Sequence, residues 1–527
     1  MRCVWPASRN SAHRRCATPC CRTKPVRATM PSDPAAAPLR NVERRLHPLS
    51  WLFVLLAQLR QFALPLIVVV FAGGRGDRWE WIGAIAALAL PLIAVAQYFS
   101  YRFRIADDEL IIRSGIFQRN RRHIPFRRIH NVSLHQNLLH RVFGVAEVHL
   151  ESAGGVKPEA QMRVLSLADA QALEALLQQC GPSLDPATAS AAEAAPARAL
   201  LSLSTSELLR LGLVSNRGMV VVAAGIGVLA QSGSQAFAAM LKRIGENLFG
   251  WANGQHLSWL GWLLAGIALF VAFAALLRVL SMLLAVVQFH GFTLHQHGER
   301  LSVESGLLTR IRAHIPRHRI QAWTVRESWL QRLLHRQSLS IDSAVVQAAN
   351  EQRSLRDLAP IAAPHTVTAL LQRLLPAAGW PDLAWQPLHP RAWRRMVIVP
   401  SAVTVLISAV LWLRLGNAAW FALLALPWWW LRAHRLAQFA GYALSEQVIA
   451  VRSGWPGHYW RLAEIGKLQV VGISSTPFDR RHGMATLWLD TAGANAMQPR
   501  LRIRYLPAAQ ARAVLETLAA RMPNRIP

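Results

Sequence analysis

Apolar residues fall along this chain in two patterns, long unbroken stretches and short alternating runs. Six stretches are long enough to cross a bilayer, which takes about 17 to 25 residues. They come in three pairs: Trp51 to Ala72 with Trp79 to Ser100, Leu211 to Ala230 with Leu257 to Leu280, and Met396 to Leu413 with Ala418 to Leu431. A short connection joins the members of each pair, so each pair predicts a helical hairpin. The third stretch carries Arg217 near its start, and the sixth is short unless its Trp428, Trp429 and Trp430 lie at the membrane interface. After each hairpin the period changes. Glu109 to Arg113 and Val145 to Glu151 alternate as half-buried strands do. Each β-rich segment closes with apolar residues at helical spacing, over Ala168 to Gln179, about His365 to Leu375, and Ala508 to Ala520.

The segments that follow the hairpins are three copies of one unit. Phe103 to Gly115, Leu294 to Gly306 and Tyr442 to Gly454 align without gaps, at offsets of 191 and 339, and each ends in Ser-Gly. The first two copies continue with Ile124-Pro125-Phe126-Arg127-Arg128-Ile129 and Ile315-Pro316-Arg317-His318-Arg319-Ile320. The third has lost the Pro and reads Leu462-Ala463-Glu464-Ile465. Leu138-Leu139-His140-Arg141 then leads to Gly144, and Pro477-Phe478-Asp479-Arg480 leads to Gly483, while copy two keeps Trp329-Leu330 but has His335 in place of the Gly. The expected architecture is an α+β membrane protein. Six transmembrane helices form three hairpins, each followed by a small β-barrel module capped by a C-terminal helix. The expected boundaries are a tail at 1–43, hairpins at 44–100, 209–288 and 396–431, modules at 101–180, 289–376 and 432–523, and linkers at 181–208 and 377–395.

Taken together, these motifs resemble the bacterial PH-like (pleckstrin-homology-like) domain membrane proteins of the YdbT type, and the likeness runs from about Arg44 onward. The resemblance implies a seven-stranded bent barrel closed by a C-terminal helix. It also implies a role in envelope defence against antimicrobial peptides. Because the third copy departs from the pattern, a contact made at that position in the other copies is in doubt there.

Composition sharpens the picture. In 527 residues, 58 Lys and Arg stand against 28 Asp and Glu, a net charge of +30, yet 53% of residues are hydrophobic and only 16% charged. Surplus cation alone suggests a nucleic-acid binder, but no aromatic-basic module accompanies it. Topology explains the surplus better, since short cytoplasmic loops collect positive charge. Arg40, Arg44 and Arg45 precede the first stretch, and Arg432 and Arg435 follow the sixth. Both termini and all three modules are therefore expected on the cytoplasmic side of a bacterial inner membrane. Four of the five cysteines lie in the first 21 residues, ahead of Met30, so the expectation is a disordered tail or a true start at Met30.

No catalytic constellation emerges, and neither a cofactor nor a metal is expected. His290, His295, His297, His314 and His318 lack a carboxylate in ligand spacing and read as exposed strand histidines. The candidate contacts to anionic lipid or a protein partner are Arg119, Arg121, Arg122, Arg127, Arg128, Arg317 and Arg319. Arg128 and Arg319 share one repeat position, where a structural pairing competes with ligand binding. Arg60 lies near the middle of the first stretch and is the candidate intramembrane functional group, whereas Arg278 can snorkel. The leading expectation is a non-enzymatic membrane protein that presents three modules to a membrane protein partner or to anionic headgroups of the lipid bilayer. The alternative is a component of a transporter or exporter whose six helices form the pathway.

Overall fold

The computed structural model describes residues 101–152, 160–180, 198–231, 258–343, 356–492 and 498–522, apart from 107–108, 116–118 and 127–128, together with parts of 43–56, 89–100 and 242–250. Each module consists of a four-stranded and a three-stranded antiparallel sheet. In the first, β1 (Glu43–Arg45), β2 (Arg102–Ile105), β3 (Glu109–Ser114) and β4 (Asn120–Pro125) precede β5 (Ile129–Asn137), β6 (Val145–Ser152) and β7 (Ala160–Ser166). The second has β8 (Arg198–Ser202), β9 (Thr293–His297), β10 (Arg300–Ser305) and β11 (Thr309–Pro316), then β12 (Ile320–Glu327), β13 (Gln337–Ser343) and β14 (Asp357–Ala362). The third has β15 (Gln386–Pro387), β16 (Gly441–Leu444), β17 (Val448–Ser453) and β18 (His458–Glu464), then β19 (Leu468–Ser474), β20 (Met484–Thr491) and β21 (Arg502–Pro507). Cap helices Leu167–Cys180, Pro364–Leu374 and Ala508–Arg521 close the modules, within two residues of the ranges that periodicity predicts. The repeated Ser-Gly has a backbone cause. Gly115, Gly306 and Gly454 have φ of 106°, 117° and 110°, and a Cβ on Gly306 would meet the Thr309 carbonyl oxygen at 2.0 Å.

Each module is split by its hairpin. The strands β1, β8 and β15 lie before the hairpin yet pair with β2, β9 and β16 after it. The expected linkers at 181–208 and 377–395 therefore hold the first strands of modules two and three, and the expected tail at 1–43 reaches into β1. Strands of two to five residues leave no readable period. Contacts next to each hairpin reinforce the tie: Phe53 stacks on His140 at 4.3 Å, Arg336 pairs with Glu207 at 2.8 Å, and Arg395 pairs with Asp479 at 3.1 Å.

The sheets do not stop at module boundaries. β5 pairs with β11 and β12 pairs with β18, which fuses the three modules through two seven-stranded sheets. Both junctions use the same register: Leu134 faces Arg312 in the first, and the residues at the same repeat positions, Val325 and Trp460, face each other in the second. The N-terminal sheet of module three is thereby covered on both faces. This is why Val448, Ile449, Ala450 and Val451 form a continuous buried run rather than an alternating one. Ala450 and Leu462 belong to the core of module two, and Ile449 and Ala463 to that of module three.

Among the described residues, two helices are long and apolar enough to cross a membrane, Trp259–Phe289 and Ala392–Arg414. The helix Trp259–Phe289 runs nine residues past the expected end at Leu280. At about 1.5 Å per residue it is longer than a hydrocarbon core of about 30 Å, and its last turns bury Ala285 and Phe289 in module two. Two stretches differ from simple spans. The third breaks into Thr205–Val214 and Arg217–Gln231 with a 53° bend. At this break Arg278 donates to the carbonyls of Leu213 and Ser215 at 3.1 and 3.2 Å, satisfying helix-end acceptors. Its charge therefore has a structural role there. The sixth stretch is a 3₁₀ segment, Gly416–Leu424, followed by the helix Ala425–Phe439. The first hairpin lies largely outside the described residues.

The second junction encloses a fully buried ion pair, Arg461 with Asp342, whose side chains are 2% and 1% exposed. Arg461 also donates to the Pro499 carbonyl at 2.7 Å. Burial pushes the Asp342 carboxyl above its usual range while Arg461 pulls it back. Removing one partner strands the other charge, so Asp342→Ala is expected to cost about 3–5 kcal/mol. Asp342→Leu combined with Arg461→Met should recover most of it, as measured by chemical unfolding of the detergent-solubilised chain.

Candidate functional site

The expected arginine cluster is dispersed. Arg119, Arg121 and Arg122 lie exposed at and along β4, the last strand of its sheet. Arg317 and Arg319 lie on a different module, in the 3₁₀ turn after β11, where Arg317 faces Glu299 at 3.7 Å. Arg60, Arg127 and Arg128 lie outside the described residues. In the third module the position shared by Arg128 and Arg319 is taken by Lys467, which donates to the Ile320 carbonyl across the second junction at 2.8 Å and pairs with Glu464 at 2.7 Å. The cation there is structural in copy three. His314 is not an exposed strand histidine either. It is half-buried, 2.6 Å from Glu174 on the cap helix of module one.

A different set of cations converges where the third hairpin meets its module. A cavity of about 950 Å³ opens between the helices Ala392–Leu415 and Ala425–Phe439 and the strands β17, β18 and β21. Arg395, Arg432, Arg452, Arg502 and Arg504 line it, and no described lining residue is acidic. Val399, Val403, Ile407 and Trp429 continue the wall along the two helices. The cavity is therefore cationic at one end and apolar along the helices.

Local contacts fix these groups. Arg452 is held between Trp385 and Phe439, 4.7 and 5.3 Å from the ring centres, and its buried Nε has no hydrogen-bond partner among the described residues. Burial lowers its pKa from the ordinary arginine value; the group stays a cation. Arg395 is oriented by Asp479, whose carboxyl sits below its ordinary range: burial pushes it up, but hydrogen bonds from Thr476 and the Arg395 guanidinium outweigh that push. Thr476 and Asp479 form a capping box, which starts the short helix Pro477–Arg481 at this point. Arg432 and Arg502 lie over Trp429 and Trp488, at 5.8 and 5.7 Å. Five cations on four elements spread over about a hundred residues of sequence, Arg395 to Arg504, have no common motif. The legible trace was the basic flank at Arg432.

The family model described as the bacterial PH domain matches this chain three times, at residues 52–180, 250–374 and 396–522. The chain belongs to the bacterial PH domain family. The first and third matches span a hairpin and the strands behind it, and the second begins at residue 250, ahead of the helix Trp259–Phe289. The UPF0699 transmembrane protein YdbT of Bacillus subtilis (strain 168) is 24% identical over 322 residues, which cover 57% of this chain and 62% of that relative. No solved structure matches.

His458 is a pH-sensitive group between the second and third PH modules. His458 stacks on Phe439 at 3.6 Å and meets Arg332 across the junction. Burial, then the charges of Arg332 and Arg452, lower its pKa from 6.5 to about 4. The folded chain therefore keeps His458 neutral where the opened junction would protonate it. The stability it contributes is complete above about pH 6.5 and is lost as pH falls to about 4. Thermal unfolding should show a steeper loss between these pH values for the native chain than for His458→Gln.

Proposed function

We propose that this bacterial PH domain protein is a non-enzymatic, multi-pass scaffold of the bacterial inner membrane that holds an anionic lipid headgroup between its third hairpin and third module. The modules and both termini lie on the cytoplasmic side, as the basic flanks favour, and the six apolar stretches are the spans, the bent and 3₁₀ ones included. The cavity carries this reading. Five arginines line it with no acidic lining residue among those described, Arg395 being paired from behind by Asp479, and its apolar wall follows a membrane helix. A phospholipid divides in the same way, with phosphate at one end and acyl chains at the other. An anionic headgroup at that depth is attracted by each nearby cation by about 1 kcal/mol.

This reading also gives a route to envelope defence, because cationic antimicrobial peptides seek the same anionic lipids. The transporter reading asks the helices to pack around a pathway, whereas no residue in the apolar window of the helix Trp259–Phe289 is buried by the described residues.

The purified full chain in neutral detergent should be stabilised against heat by phosphatidylglycerol far more than by phosphatidylcholine, and native mass spectrometry should show the anionic lipid bound. Arg432 and Arg504 are both exposed, so changing both to Gln spares the fold. Loss of two cations at about 1 kcal/mol each should weaken lipid binding roughly 30-fold. Equal stabilisation by the two lipids would contradict the proposal.

A further inference from the structure

Two strands break the pattern that the modules otherwise share. At both junctions, the first strand of a three-stranded sheet is covered by the last strand of the next module's four-stranded sheet. Among the described residues β19 has no such cover, and β4 covers nothing; each ends its sheet. The two open edges are the two halves of the joint already made twice within the chain. We infer that copies of this protein join head to tail, β19 of one copy pairing with β4 of the next.

Three observations support a second copy as the occupant. The first is exposure. In β12 the covered residue Ala322 is 0% exposed, while Val470, at the same repeat position in β19, is 60% exposed. With Val471 and Ile473 beside it, β19 is a long β-branched edge with neither Pro nor charge to blunt it, the kind of edge that invites pairing. The second is register. Both internal junctions use one alignment, and continuing it places Ile473 opposite Arg121 and Ser474 opposite Asn120 of the next copy. Arginines are compatible with a formed junction, since Arg310 and Arg312 occupy the positions of Arg119 and Arg121 there and are held by Glu304; module one has Arg113 at the Glu304 position, paired with Glu43 instead.

The third is an arginine that crosses both junctions from the same place. Arg141 donates to the Leu307 carbonyl at 3.2 Å, and Arg332, at the equivalent position, meets His458. Arg480 holds that position in module three; it is exposed and bonded to Ser475 of its own module. The joint is heterologous, so repeating it gives a closed ring or an open chain. The internal junctions already keep successive hairpins on one bilayer, and a third use of the same geometry keeps the next copy's hairpins there as well.

The test is disulfide cross-linking in native membranes, with the five native cysteines replaced by Ser. The full chain carrying Ile473→Cys and Arg121→Cys should give a ladder of dimers, trimers and higher species on oxidation, and neither single substitution should give one. Val470→Lys, at an exposed position that the fold tolerates, should abolish the ladder while leaving the thermal unfolding of the chain unchanged. A monomer under oxidation would overturn the inference. So would a dimer formed by Ile473→Cys alone, or a cross-link from Cys at 473 to a different protein in place of the ladder.

Discussion

The row of backbone donors and acceptors on an edge strand has to be paired, covered or left to water, and this protein pairs it between modules. The open strand of each three-stranded sheet, β5 or β12, takes up β11 or β18 of the module that follows. Everything else in the modules rests on that choice. It turns three small barrels, each a marginal core by itself, into one array in which the core residues of module two include side chains from module three. It also buries the Arg461–Asp342 pair and brings Arg332 against His458. The modules are therefore not separate binding heads on tethers.

The second constraint is the insertion of each hairpin between the first and second strands of its module. Both ends of a hairpin are thus tied to one sheet. The short helices after β5, β12 and β19 sit beside these attachment points, through Phe53 with His140, Glu207 with Arg336, and Arg395 with Asp479. The cationic cavity follows from the same construction. It forms where the third hairpin leaves β15 and re-enters at β16, between the two hairpin helices and the strands of the module.

Much of this was legible in the sequence, and the part that was not has physical reasons. The offsets of 191 and 339 between copies, the Ser-Gly turns and the cap helices all survive in the structure, because each is set by local backbone chemistry or by one periodic face. The pairing of β5 with β11 is different. Strand partners are chosen by edges, and an edge has no period; the only trace was the unbroken apolar run Val448 to Val451, which signals a strand buried on both faces. The first strands escaped for want of length, β15 having two residues. Among site residues, Arg119, Arg121 and Arg122 stood out because they are adjacent in sequence. Arg395, Arg452 and Arg502 did not, because only folding brings them together.

Amide hydrogen exchange on the full chain in lipid nanodiscs tests the fused array most directly, since protection reports the free energy of opening each pairing. Residues 309–313 and 322–327, on either side of the two junctions, should exchange as slowly as the interior strands β6 and β13. Exchange at those residues as fast as in an exposed edge or loop would mean that the modules stand apart, and the continuous sheets would have to be abandoned.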